Sequence, residues 1–259
     1  MGPERPFPTL PAMRLRVLGS NGTYPTPGHP ASGYLVDHDG TVVMLDCGPA
    51  TLGALQALMP PARLSAIVIS HGHGDHCIDL FPLFSVLRFG PETVTGLPVF
   101  APAGFAERFG GFLGAGPDHD LYRILEFRTA APGITARVGS LSLAFEEAVH
   151  PVPAVVTGVE AGGRRLVYSG DTGPGGGLAR LAAGADVLLC EATTQGEPGG
   201  YPYHLAAVDA GAAAAAAGVG RLLVTHVAPL LDPEVSVREA ASVFDGPVSW
   251  AAPGLEVQI

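Results

Sequence analysis

The stretch AIVISHGHGDHC, residues 66–77, joins a short apolar run to three histidines and an aspartate packed into six residues. The run is β-branched and uninterrupted, the pattern of a strand buried on both faces. His71, His73, Asp75 and His76 follow it at once, separated only by Gly72 and Gly74. A packed core has no use for so many coordinating side chains at one strand end, whereas a metal site does. The two glycines are expected to let the chain turn tightly while presenting ligands on nearly successive residues. Six residues cannot close such a site alone, so the remaining ligands must come from elsewhere.

Three later residues meet that need. His150 follows LSLAFEEAV, Asp171 follows RRLVYSG, and His226 follows RLLVT, so each stands just past an apolar strand. Strand ends are where a rigid scaffold can aim side chains at a common point. Singly, each is as well explained as a loop cap. Together with His71, His73, Asp75 and His76 they supply five imidazoles and two carboxylates. That donor set suits two zinc ions with room left for water.

Around these residues, apolar strand patterns and helical patterns alternate. Strands are expected at 14–18, 33–36, 42–45, 66–69 and 98–101, with Asp37-His38-Asp39-Gly40 as a hairpin turn. Helices are expected at 50–59, stopped by Pro60-Pro61, and at 80–89 and 105–112. The second half repeats the style. Strands at 141–145, 154–159 and 165–168 form a meander turning at Gly162-Gly163. Helices at 178–183, 205–217 and 233–244 then alternate with strands at 187–189 and 222–224. Strands first, then strand and helix in turn, twice over, predict an α/β fold of two sheets packed face to face with helices outside. No linker interrupts residues 13–259, which read as one domain after a proline-rich, flexible tail at 1–12.

Composition narrows the function. The net charge of −10 disfavours generic nucleic-acid binding, which relies on a basic surface. The chain contains no lysine, which excludes Schiff-base chemistry on that residue. No apolar run approaches a membrane span and the start lacks an apolar leader, so a cytoplasmic protein is expected. Cys47, Cys77 and Cys190 lack paired spacing and read as buried free thiols.

The order HxHxDH, then His, Asp and His, resembles the metallo-β-lactamase-fold hydrolases, from LDCG at 45–48 to THVAP at 225–229. The resemblance implies an αββα sandwich of two mixed sheets with helices on the outer faces. It implies that His71, His73 and His150 hold one metal, that Asp75, His76 and His226 hold the other, and that Asp171 bridges both. Zinc is the implied metal, with manganese or iron as substitutes, and Asp46 would support the ligands from behind. Two further residues resemble the ribonuclease Z and phosphodiesterase branch. Glu191 lies in DVLLCEATTQ, and His204 follows the loop GEPGGYPY. In that branch such a pair assists the leaving group, so Glu191, His204 and Asp75 are the implied catalytic residues. The branch usually carries small hydroxyl residues after the histidine, whereas Leu205 and Ala206 stand here.

The implied activity is hydrolysis of a small or cyclic phosphodiester by a metal-bridging hydroxide. A lactonase or thioesterase using the same centre is the alternative, and a mononuclear-iron oxygenase or a binding module a third. Ribonuclease Z holds tRNA with an arm inserted between the counterparts of His150 and Asp171. Only a plain hairpin separates those residues here, so a small molecule, not tRNA, is the expected substrate. A homodimer is compatible with the sequence. Gly19, Gly22 and Gly28 in the loop GSNGTYPTPGHPASGY are expected to allow close approach of a ligand, and His29 could touch it. His38 and His119 have no motif around them.

Overall fold

A computed structural model describes residues 12–259. All but the last residue of the expected N-terminal tail lies outside the described residues. The first half builds β1 (Arg14–Gly19), β2 (Gly33–His38), β3 (Thr41–Leu45), α1 (Thr51–Leu58), β4 (Ala66–Val68), α2 (Gly74–Cys77), α3 (Leu80–Phe89), β5 (Leu97–Ala101), α4 (Phe105–Phe112), α5 (Leu121–Ile124) and β6 (Leu125–Thr129). The second half builds β7 (Thr135–Val138), β8 (Leu141–Glu147), β9 (Val155–Ala161), β10 (Arg164–Tyr168), α6 (Leu178–Ala182), β11 (Val187–Glu191), α7 (Ala207–Ala217), β12 (Leu222–Thr225), α8 (Pro233–Ala241), β13 (Val248–Trp250) and β14 (Glu256–Gln258).

The strands form two seven-stranded sheets, ordered β14-β1-β2-β3-β4-β5-β6 and β13-β12-β11-β10-β9-β8-β7. Each is antiparallel over one half and parallel over the other, so both are mixed. The period-2 alternation of strand side chains explains the layering. Val43, Leu45, Ala66 and Val68 face the core between the sheets, where they meet Leu166, Tyr168, Leu189 and Leu223. Their neighbours Met44, Ile67 and Ile69 face outward, under α1, α3 and α4. On the other side, Val167, Leu188, Cys190, Leu222 and Val224 face α6, α7 and α8. The architecture is the αββα sandwich of the metallo-β-lactamase type.

The structure corrects several local expectations. Asp37 and His38 belong to β2, and the hairpin turn is Asp39-Gly40 alone, both at positive φ (46° and 78°) as a two-residue turn requires. Helix α7 begins at Ala207 and α8 ends at Ala241, so each is shorter than its periodic pattern. Strands β6, β7, β13 and β14 were not expected. All four are sheet-edge or near-edge strands with exposed positions, which blurs the apolar pattern. Neither Gly72 nor Gly74 has positive φ. A Cβ at Gly72 would meet only the movable end of the Arg108 side chain at 2.9 Å, and Gly74 has open space around it and opens α2, so neither glycine is required by a turn.

Candidate metal centre

Every expected ligand lies just past the C-terminal end of a strand, in the loop or the one-turn helix that follows it. Asp46 follows β3, His71 follows β4, and His73 leads into the one-turn helix α2 that carries Asp75 and His76. From the other sheet, His150 follows β8, Asp171 follows β10, Glu191 ends β11 and His226 follows β12. The two sheets are tied together at this edge, where Val155 N donates to Ser70 O at 2.9 Å. Asp46 and His226 both sit in the left-handed region (φ 56° and 52°), an uncommon conformation for residues with a Cβ. At both positions it re-aims a side chain just as a strand ends.

The side chains converge in two groups that share Asp171. In the first, His73 Nδ1 lies 3.0 Å from His71 Nε2 and 3.1 Å from His150 Nε2, and His71 Nε2 lies 3.6 Å from Asp171 Oδ2. In the second, His76 Nε2 lies 3.1 Å from His226 Nε2, 3.6 Å from Asp75 Oδ2 and 3.2 Å from Asp171 Oδ1. All candidate donor atoms within each group lie inside 4.8 Å of one another.

This donor set fits a metal. A tetrahedral zinc with nitrogen and oxygen ligands at ~2.0–2.2 Å holds those ligand atoms roughly 3.3–3.5 Å apart. The separations above bracket that range. Asp171 Oδ1 is buried with no well-aligned hydrogen bond, although the ring nitrogens of His76 and His226 lie 3.2 and 3.4 Å from it. A buried carboxylate oxygen so placed is costly unless something cationic satisfies it.

Behind the donors stands a buried carboxylate. Asp46 Oδ2 accepts from His76 Nδ1 at 2.7 Å, from Ser70 Oγ at 2.7 Å and from Tyr168 OH at 2.6 Å, while Oδ1 accepts from Ser70 N at 2.6 Å. Donation from His76 Nδ1 leaves the Nε2 lone pair facing the second group, the usual way an outer carboxylate fixes a ligand's tautomer. Asp75 is held by the early loop, because Thr23 N donates to its Oδ2 at 2.9 Å.

Electrostatics separate the two groups in the metal-free protein. Burial pulls His71 well below the usual histidine value and takes His150 to about 4. Burial also opposes the charge on His76, but Asp171 and Asp46 outweigh it and raise His76 well above that value. Asp171 is held well below the carboxylate range because His226 and His76 overcome its burial.

Glu191 is fully buried, and its carboxylate lies 3.1 Å and 3.2 Å from His204 Nδ1 through its two oxygens. Burial raises the Glu191 carboxyl, while its hydrogen bond to His204 opposes that rise. Burial works against a charged His204, and Glu191 reverses the balance and raises it. The ring of His204 stacks on His226 (5.8 Å between centroids) and beneath Tyr201 (5.5 Å). The loop before it is pinned to the metal cluster by His150 Nδ1, which lies 3.2 Å from Tyr203 O.

The chain belongs to the beta-lactamase superfamily. The family's domain model matches residues 41–227. The Mycobacterium tuberculosis protein Rv1339 is 36% identical over 246 residues, covering 93% of this chain and 90% of its own. Ribonuclease Z of Mycolicibacterium paratuberculosis is 32% identical over 246 residues, covering 85% and 87%. The crystal structure of the metallo-beta-lactamase fold protein YhfI from Bacillus subtilis superposes with a TM-score of 0.86 at 26% identity, covering 97% of this chain and 100% of that one. This superfamily member is therefore a metallo-hydrolase similar to ribonuclease Z and YhfI, with a His/Asp cluster able to bind metal.

Several other residues singled out in the sequence contribute no donor atom to the cluster. Cys77 donates to His73 O at 3.1 Å, and burial pushes its thiol up to about 12, so it is a packing residue. Cys47 and Cys190 are buried thiols. His29 is exposed and stacks on Trp250. His38 faces Ser140, and His119 accepts from Leu121 N. Among the loop glycines, Gly19 and Gly22 serve contacts within the chain. A Cβ at Gly19 would meet Ala31 O at 2.2 Å, and one at Gly22 would meet His226 O at 2.8 Å. Sequence reasoning missed Thr193, whose hydroxyl lies within hydrogen-bond reach of Glu191, His204 and His226. Its neighbours in EATT carry no signature that would have singled it out.

Proposed function

We propose that this chain is a dinuclear zinc phosphodiesterase acting on a small or cyclic phosphodiester. The observation that carries the reading is the buried Glu191 carboxylate on His204 Nδ1, beside two donor groups that share Asp171. His71, His73 and His150 would hold one ion, Asp75, His76 and His226 the other, with one Asp171 oxygen toward each. Two bound ions would acidify a water into a nucleophile and neutralise a phosphoryl oxygen.

The chain's own residues supply the rest. Glu191 fixes His204 with Nδ1 inward, which leaves Nε2 free for the substrate, and its charge keeps the ring protonated. His204 then donates that proton to the departing oxygen. An alkoxide leaving group needs such a donor most. A thiolate leaving group needs it least, so the pair favours an oxygen ester over a thioester, and the likeness to ribonuclease Z favours the phosphodiester among oxygen esters. The loop around Thr23 holds Asp75 in place.

A small substrate fits the surroundings. Between His150 and Asp171 the chain is β9 and β10 joined by Gly162-Gly163, with no inserted arm. The net charge of −10 works against holding a tRNA body. The test is a hydrolysis panel of the zinc-loaded protein with aryl phosphodiesters, cyclic nucleotides, lactones and thioesters. Turnover of diesters is expected. Turnover of a lactone or thioester with none of any diester would overturn the reading.

A further inference from the structure

Glu191 does more in this structure than face His204. Its Oε1 accepts from Thr172 N at 2.6 Å, the residue directly after Asp171. Its Oε2 accepts from the Thr193 hydroxyl. That hydroxyl has one proton, and a carboxylate beside it can only accept, so the proton points to Glu191. The lone pairs of Thr193 Oγ1 are then left for N–H donors. His226 Nδ1 lies 2.8 Å away and His204 Nδ1 3.2 Å away. Donation from His226 Nδ1 leaves the His226 Nε2 lone pair facing Asp75, His76 and Asp171.

The other end of the centre repeats the arrangement. Ser70 Oγ donates to Asp46 Oδ2 at 2.7 Å and lies 3.1 Å from His71 Nδ1. A hydroxyl thus stands between a buried carboxylate and a buried histidine on both sides. Glu191, His204 and His226 could by geometry form a third metal-holding triad. The Thr193 hydroxyl instead bridges Glu191 to His226, while His204 Nδ1 gives its single proton to Glu191 directly.

We infer that Glu191 supports the metal centre as well as the leaving-group acid, with Thr193 as the positioning residue that carries its influence to His226. The inference rests on His226 being a metal ligand, and not on which ester is cleaved. Outer-layer partners of metal-bound histidines typically govern affinity by about 10–100-fold.

The test uses Thr193→Val, Thr193→Ser and Glu191→Gln in the full chain. Zinc occupancy is counted by native mass spectrometry while a chelator competes, which gives two stepwise affinities; His226→Ala identifies the step that belongs to its group. Thr193→Val is expected to weaken that step about 10–100-fold and leave the other step unchanged. Glu191→Gln should weaken the same step, and Thr193→Ser should restore it. A purely structural role would instead lower the melting temperature without changing the ratio of the two affinities. Unchanged affinities in Thr193→Val and Glu191→Gln would overturn the inference. So would failure of Thr193→Ser to restore the step while the protein remains folded. A wild type without a His226-dependent step would overturn both this inference and the dinuclear reading, while leaving hydrolysis to be judged separately.

Discussion

Replacing Asp46 with asparagine removes one charge and almost no volume, and the structure sets the cost. The carboxylate accepts four hydrogen bonds, from Ser70 N, Ser70 Oγ, His76 Nδ1 and Tyr168 OH, at 2.6–2.7 Å. An asparagine can place its oxygen at only one end. At the Oδ2 end it keeps three donors and turns its NH2 against Ser70 N–H; at the Oδ1 end it keeps one and opposes three. Even the better choice loses a charge-assisted bond worth ~1.5–3 kcal/mol and weakens the other three. It also removes one of the two charges that hold His76 protonated; breaking a buried pair outright costs about 3–5 kcal/mol, and Asp171, 3.2 Å from His76 Nε2, retains part of that. The two effects describe partly the same loss, so Asp46→Asn should destabilise the metal-depleted protein by about 2–4 kcal/mol.

The pH dependence has a definite sign. Asp46 and Asp171 raise His76 above its unfolded value. The ion-pair contribution is therefore fully present below the ordinary histidine pKa, ~6.5. It is lost as pH rises through the folded value. The Asp46→Asn deficit should be largest below ~6.5 and shrink in alkaline buffer. Urea unfolding of metal-depleted wild type and variant at several pH values measures it. A loss under ~1 kcal/mol in acid, or one that grows with pH, would refute the reasoning.

Three further outcomes follow from the same geometry. His204→Ala should cost ~10²–10⁴-fold on an alkyl phosphodiester and far less on a nitrophenyl diester, with zinc content unchanged; equal losses across leaving groups of graded pKa would remove its role as proton donor. As pH falls, zinc should leave the Asp75–His76–His226 group first, because His76 takes up protons already above the ordinary histidine range while His71 and His150 resist until well below it; occupancy followed by mass spectrometry checks the order. Precursor tRNA should be cleaved poorly, and efficient, salt-sensitive processing would contradict the small-substrate reading.

What was legible in the sequence follows from which signals are local. The central strands announced themselves because they are buried on both faces: β4 and β11 read as unbroken apolar runs. The donors were legible because each group follows a strand pattern and because HxHxDH places four of them within six residues. Edge strands were not, since β6, β7, β13 and β14 each keep at most one buried position. Tyr168 read only as a strand residue, and nothing local ties its hydroxyl to Asp46, 122 positions away. Thr193 escaped for the same reason, as its partner His226 lies 33 residues on, at the end of the neighbouring strand. The residues that touch a metal or substrate belong to restricted chemical types, whereas those behind them need only a hydroxyl or carboxylate that the fold brings close.

The most direct test of the central claim is a zinc titration of the metal-depleted protein, read as the initial rate of aryl phosphodiester hydrolysis. The two donor groups sharing Asp171 predict that the rate climbs until about two equivalents per chain are bound and is flat beyond. A plateau at about one equivalent, or a rate indifferent to zinc, would contradict the account.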